Sequence, residues 1–183
     1  KFIVAYDDNY TQAEYYLASV ADQVYLHPEG SISWNGISSS VIFYKGLLDK
    51  LEVEVEIFRP SVCRYKSAVE PFFLTKMSKE NREQMEHIAE SSWQAICNDV
   101  SNSRNIDVST LYNYAENLSI AIADDALNAQ LVDELAYEDE LNALFEDYGV
   151  KRNSNGSYNR VSLGSYISAM NYSTLRTSVD NMA

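Results

Sequence analysis

Residues 2–26 read FIVAYDDNYTQAEYYLASVADQVYL, and this stretch decides the fold class. Phe2-Ile3-Val4-Ala5 is an apolar run of strand length. Residues 13–21 then place Tyr16, Leu17 and Val20 at helical spacing. Val24-Tyr25-Leu26 is a second short strand, which Pro28 and Gly30 are expected to stop. The alternation continues downstream. Ser31-Ile32-Ser33-Trp34 reads as a strand leading into a polar loop that runs to Ser40. Residues 41–50 are predicted to be helical, with Ile42, Tyr44, Leu47, Leu48 and Leu51 on the apolar face. From Glu52 to Phe58, Val53, Val55 and Ile57 share one face and Glu52, Glu54 and Glu56 the other, the pattern of a half-buried strand. Strands that alternate with helices imply an α/β fold with helices packed on a sheet.

The segment after Ser78 gives the clearest helix. Met85, Ile88, Ala89, Trp93, Ile96 and Val100 form a stripe at three- and four-residue spacing. Ser78 is the expected N-cap, and Glu80 and Glu83 suit the positive end of the helix dipole. Two shorter helices are predicted beyond it. One starts near Asp124-Asp125 with Leu127 and Leu131 inward. The other runs from about Glu138 to Tyr148, with Leu141, Leu144 and Phe145 inward and Gly149 as its stop. Residues 151–183 are rich in serine and asparagine and carry a net +3, which leaves −16 for residues 1–150. The expected organisation is a domain over 1–150 followed by a linker or packing arm over 151–183.

The whole chain has 183 residues, with 14 basic and 27 acidic side chains and a formal charge of −13. That charge repels phosphate, so direct binding of nucleic acid is not expected, and an anionic membrane surface is an equally poor match. No apolar run approaches the roughly 20 residues that span a bilayer. Lys1 opens directly onto an apolar strand, so the chain reads as a fragment whose leader or anchor would lie upstream. Two cysteines, Cys63 and Cys97, make no disulfide framework. The two histidines, His27 and His87, are far apart and offer little to a histidine triad or a histidine metal motif. Six glycines compose no phosphate loop and no nucleophile elbow.

Three places carry residues capable of chemistry. Tyr65-Lys66-Ser67-Ala68-Val69-Glu70-Pro71-Phe72 lies between the alternating strand and the long helix, where α/β proteins place functional loops. Pro71 pushes Glu70 towards an extended conformation. Burial of Lys66 against Val69, Phe72 and Phe73, with Arg64 nearby, would favour its neutral amine and make it a general base; the plain alternative is a surface lysine. The acidic run Tyr6-Asp7-Asp8-Asn9-Tyr10 has oxygen ligands for a hard cation but lacks the spacing and glycine of a calcium loop, which leaves a solvated loop as the simpler reading. Tyr10, Tyr15, Tyr16, Tyr25 and Tyr44 would suit either a peptide groove or core and rim packing. His27 and His87 read as structural or exposed.

Several segments resemble the long form of signal peptide peptidase A, or protease IV. They are Asp8 to Ser19, Phe43-Tyr44-Lys45-Gly46-Leu47-Leu48-Asp49-Lys50-Leu51, the run Tyr65 to Phe72 with the following Met77-Ser78, and Gln130-Leu131-Val132-Asp133. The resemblance covers about residues 2–150 in the family's order, and Ser157 to Tyr166 faintly resembles its inter-domain segment. It implies a ClpP/crotonase-like fold in each of two related halves, the N-terminal one supplying a lysine base and the C-terminal one a nucleophilic serine. By position the lysine is Lys66. Gln12 stands where the serine-bearing half has its nucleophile, which makes this the N-terminal half. The implied protein is a Ser/Lys endopeptidase that degrades cleaved signal peptides, needs no cofactor, and forms a homo-oligomer, a tetramer. Its implied place is the extracytoplasmic side of the bacterial inner membrane. Departures from the family pattern are a longer, glycine-free Pro60 to Arg64, and Asp7 and Ala13 at positions where glycine is favoured. These leave a catalytically inactive scaffold half, or a stand-alone peptide-binding module, as alternatives.

Overall fold

In the computed structural model, residues 2–59, 65–156, 158, 161–162 and 164–169 are described. Strand β1 (Val4–Tyr10) and helix α1 (Gln12–Ala18) lead into β2 (Gln23–Ile32), which pairs with β1 in parallel. Parallel pairing follows from the crossover, because a helix between two strands returns the chain in the same direction. Thr11 and Glu14 start α1 with a reciprocal cap. The Thr11 N–H donates to Glu14 Oε2 at 2.8 Å, and the Glu14 N–H donates to Thr11 Oγ1 at 3.3 Å.

β2 does not stop at Pro28 or Gly30, as expected from the sequence; it continues to Ile32. Pairing steps from Asp7 opposite Leu26 to Asn9 opposite Ser31, so β2 takes up three more residues than β1 across the step. The irregularity absorbs Pro28, whose missing N–H would interrupt a regular ladder. Gly30 lies at a close approach, because a Cβ there would stand 2.0 Å from the Asp8 carbonyl oxygen. The Asn9 side-chain oxygen accepts from both the N–H and the hydroxyl of Ser31 and closes the step. The acidic run 6–10 is therefore strand, not the solvated loop the sequence suggested: its backbone pairs with β2 while Asp7 and Asp8 stay exposed.

The strand expected over Glu52 to Phe58 joins no sheet. The sheet among the described residues is three-stranded, in the order β1-β2-β3, where β3 is the two-residue Glu134–Leu135. Val53 and Val55 are exposed, and a run of the right periodicity is no strand without a neighbour to take its hydrogen bonds. The helix expected over 41–50 shortens to α2 (Lys45–Lys50), for the serines and β-branched residues before Phe43 favour extended backbone. A single turn, α3 (Glu70–Phe73), precedes the long α4 (Lys79–Arg104). Next come α5 (Val108–Glu116), not foreseen from the sequence, and α6 (Ala123–Asn128).

The core packs α1, the C-terminal half of α4, α5 and α6 around β2. Tyr15, Val24, Leu26, Trp34, Val100 and Leu111 are all buried there. Tyr10, Tyr15, Trp34, Trp93 and Tyr112 form a continuous chain of ring contacts with centroids 4.9–6.2 Å apart. The Trp34 indole N–H donates to the Leu111 carbonyl at 2.9 Å. Cys97 is a free thiol in this core, pushed up to about 12 by burial and by Glu90, and so unreactive. Cys63 lies outside the described residues. Of the predicted α4 stripe, Trp93 and Val100 are buried, whereas Ile88 is half exposed.

The chain divides into two compact units, one ending at Tyr137 and the other beginning at Glu138. In the second, α7 (Glu140–Asp147) ends in a left-handed Gly149, with Gly149 N–H donating to Glu146 and Val150 N–H to Phe145, which satisfies the last carbonyls. Arg152 pairs with Glu146 at 2.9 Å and lies over the Tyr158 ring, so this part of the expected arm is tied to α7.

Candidate active site

The lysine turn is built from the residues that follow the exposed extended segment. Lys66 precedes a turn over Ala68-Val69, and Glu70 opens α3. Glu70 is helical rather than extended: Pro71 sits in the first turn, where a missing N–H costs nothing. The Pro71 carbonyl accepts from the Tyr44 N–H at 2.7 Å, and the Tyr44 and Phe72 rings stack with centroids 5.9 Å apart. That contact brings together two of the segments singled out from the sequence.

Glu70 has no exposed surface, and it is the one buried acid among the described residues. Its Oε1 accepts from the Ser78 hydroxyl at 2.6 Å, and its Oε2 from the Asn81 side-chain amide at 3.0 Å and the Ser78 N–H at 3.3 Å. The Arg59 guanidinium lies 3.8 Å away. Burial alone would raise this carboxyl, but the Ser78 and Asn81 hydrogen bonds and the Arg59 charge together hold it below the ordinary range. Ser78 also caps α4, since its Oγ accepts from the Asn81 N–H at 3.1 Å. The sequence reading took Glu70 only as the residue before a proline. The available signal was an acid set among Val69, Phe72 and Phe73, a few residues ahead of a Ser-x-x-Asn helix start.

Lys66 itself is exposed and makes no hydrogen bond or ion pair with another described residue. The burial expected from the sequence is absent: Val69 is only partly buried and Phe72 is 44% exposed. Arg64 lies outside the described residues. Two clefts flank the turn. One, of about 630 Å³, is bounded by Leu48 and Asp49 of α2, Val53 and Val55 of the extended segment, and Phe72 of α3. The other, of about 460 Å³, opens between Tyr65 and the Glu83, His87 and Ile88 side chains of α4.

The other sequence candidates have structural places. Gln12 is the first residue of α1 and bears no nucleophile. Tyr10, Tyr15 and Tyr25 are buried, so they form core and not a groove. Tyr16 donates to Asp99 at 2.6 Å. His27 meets the edge of Tyr137 at 4.9 Å, and His87 is exposed beside Ser91. Asp133, of the Leu-Val-Asp element, accepts from the Val24 N–H at 2.7 Å and from Arg104 at 2.8 Å. No cluster of three metal-ligating side chains occurs among the described residues.

A parallel α/β sheet and a loop-borne lysine define the class of an α/β protein with a candidate lysine-dependent site. Comparison with known sequences narrows this. The pattern of peptidase family S49 matches residues 1–151. Protease 4 of Haemophilus influenzae is 45% identical over 106 residues, which is 58% of this chain and 17% of that protein. Protease 4 of Salmonella typhi is 35% identical over 174 residues, 91% of this chain and 28% of that protein. The chain thus spans well under a third of the length of these relatives. A solved structure, the 1510-N membrane-bound stomatin-specific protease in a mutant form, aligns with a TM-score of 0.40 at 10% identity, over 87% of this chain and 62% of that one. The chain belongs to peptidase family S49, with the signal peptide peptidase A and protease IV proteins.

Proposed function

We propose that this chain is the lysine-bearing half of a Ser/Lys endopeptidase that degrades cleaved signal peptides. The single observation that carries the reading is Lys66 itself, an amine with no partner among the described residues, on an anchored turn in a chain that belongs to a peptidase family. Neutral Lys66 Nζ takes the proton of a serine hydroxyl, the freed Oγ attacks the scissile carbonyl carbon, and the resulting ammonium returns the proton to the leaving amine. Water then releases the acyl group by the same proton path. Gln12 supplies no nucleophile, so the serine comes from the second half of the intact protein, with the two halves sharing a ClpP/crotonase-like fold. That half would have to bring its serine hydroxyl within hydrogen-bond reach of Lys66 Nζ. The cleft beside the turn, lined by Val53, Val55 and Phe72 together with the charged Lys45, Asp49, Glu54 and Glu56, has room for an extended peptide of mixed polarity. The reading extends to a homo-oligomer, a tetramer, acting at the bacterial inner membrane on its extracytoplasmic side. No helix among the described residues is long and apolar enough to cross a membrane.

A second reading, an inactive scaffold half, is favoured by one observation, the exposure of Lys66. Turnover of a fluorogenic peptide by the intact protein, followed against pH, separates the two. Lys66→Ala is expected to lose roughly 10²–10⁴-fold in kcat, the usual contribution of a general base. Lys66→Arg should fail as well, because guanidinium does not give up its proton. Wild-type turnover in Lys66→Ala would remove the lysine from the mechanism. An unmodified protein that is inactive at every pH would favour the scaffold.

A further inference from the structure

A buried carboxylate is costly unless every lone pair is used, and chains keep one where it holds something in place. Glu70 holds three things at once. Its side chain binds the first turn of α4 through Ser78 and Asn81. The Arg59 guanidinium stands 3.8 Å from the same carboxylate. Its own backbone N–H donates to the Ser67 carbonyl at 2.9 Å. Arg59 and Ser67, which flank Lys66 in the sequence, thus both meet Glu70. The far end of α4 is fixed in the core by Trp93, Cys97 and Val100. Through Glu70 and a continuous helix, the lysine turn is therefore referenced to the body of the fold.

We infer that Glu70 is the positioning residue for Lys66: its carboxylate ties the lysine turn to the start of α4 and sets where the amine stands. This rests on Lys66 being the base, as proposed above. The side-chain type follows from the geometry. Three donors converge on two oxygens, an arrangement only an ionised carboxylate of this length satisfies. Glutamine would turn an NH₂ group towards the Ser78 or Asn81 donors, and aspartate is one methylene short. Release of the turn leaves substrate binding intact but spoils the approach of the amine to the serine hydroxyl, and a misplacement of about 1 Å costs on the order of a hundredfold in rate.

The test uses the intact protein with Glu70→Gln and, as a milder variant that leaves no buried charge unpaired, Asn81→Ala. Two readouts are taken: kcat and KM on a fluorogenic peptide, and the NMR signal of Lys66 after ¹³C-methylation of lysines, assigned by its loss in Lys66→Arg. Glu70→Gln should lower kcat by about tenfold to a hundredfold with KM changed less than about twofold. Asn81→Ala should fall between it and the parent. In both, the Lys66 signal should shift and broaden as the amine leaves its single environment. An unchanged Lys66 signal with parental kcat in folded Glu70→Gln, or in Asn81→Ala should the first variant not fold, would overturn the inference. The same holds if the whole loss tracks the folded fraction. Failure of the base reading looks different: Lys66→Ala keeps its turnover while the Lys66 signal still responds to Glu70.

Discussion

The Tyr15 hydroxyl donates a 2.7 Å hydrogen bond to the Leu131 carbonyl, across 116 residues of chain, and both residues are fully buried. It joins two of the segments that carry the family resemblance, the aromatic pair of α1 and the Leu-Val-Asp element. Asp133, two residues on, then grips the Val24 amide of β2 and the Arg104 guanidinium at the end of α4. These motif residues act as framework. They bring a helix, the central strand and a distant loop into one register.

Tyr15→Phe tests that strut. The ring stays in its contact with Trp34 while the Leu131 carbonyl loses its partner in a dry site. Loss of one partner from a buried pair costs about 1–3 kcal/mol. The urea midpoint should fall accordingly with an unchanged slope. A midpoint equal to that of the parent would mean that the carbonyl finds another donor and the strut is dispensable.

Gly30 and Gly46 make opposite predictions for the same substitution. A Cβ at Gly30 meets the backbone oxygen of Asp8, which cannot step aside without opening the β1–β2 pairing, whereas a Cβ at Gly46 meets nothing within 4 Å. Gly30→Ala should destabilise by at least about 1–3 kcal/mol, the usual cost of overpacking. Gly46→Ala, in the first turn of α2, should be neutral or stabilising by up to about 1 kcal/mol. Thermal melts of the two variants side by side decide the matter, and equal shifts would contradict the close approach at Gly30.

Much of this was legible in the residues, for reasons that differ by element. The long helix announced itself because its cap, its stripe and its charges agree, and Ser78 does cap α4. The alternation of strands and helices announced an α/β fold with helices on a sheet, and the parallel pairing came with the structure. Other features depend on groups distant in sequence. The alternating 52–58 segment has the periodicity of a strand, yet periodicity reports a face and not the neighbour it needs. Pro28 and Gly30 looked like a stop because their signal is local, while the irregularity that accommodates them is set by Asn9. Lys66 is singled out by its motif alone. Glu70 is not, because its meaning lies in partners up to 11 residues away that assemble only when α3 meets α4.

Those partners also set a pH dependence. Glu70 and Asp133 both release their protons more readily in the folded chain than ordinary carboxyls do. Burial opposes this in each case. It is outweighed at Glu70 by Ser78, Asn81 and Arg59, and at Asp133 by Arg104 and the Val24 amide. A carboxyl whose folded value lies below its unfolded one stabilises the fold fully above the ordinary carboxylate range near 4, and the gain is lost as pH falls through the folded value. Overall stability against pH is a blunt probe here, because a chain of charge −13 also relieves self-repulsion as it is acidified. The informative quantity is the difference between the parent and Asp133→Asn or Glu70→Gln. In urea unfolding at a series of pH values, that difference should be widest above about pH 5 and narrow steadily below about pH 4. A difference of the same size at pH 6 and pH 3 would mean that these carboxyls titrate alike in the folded and unfolded chain, and that neither network depends on its charge.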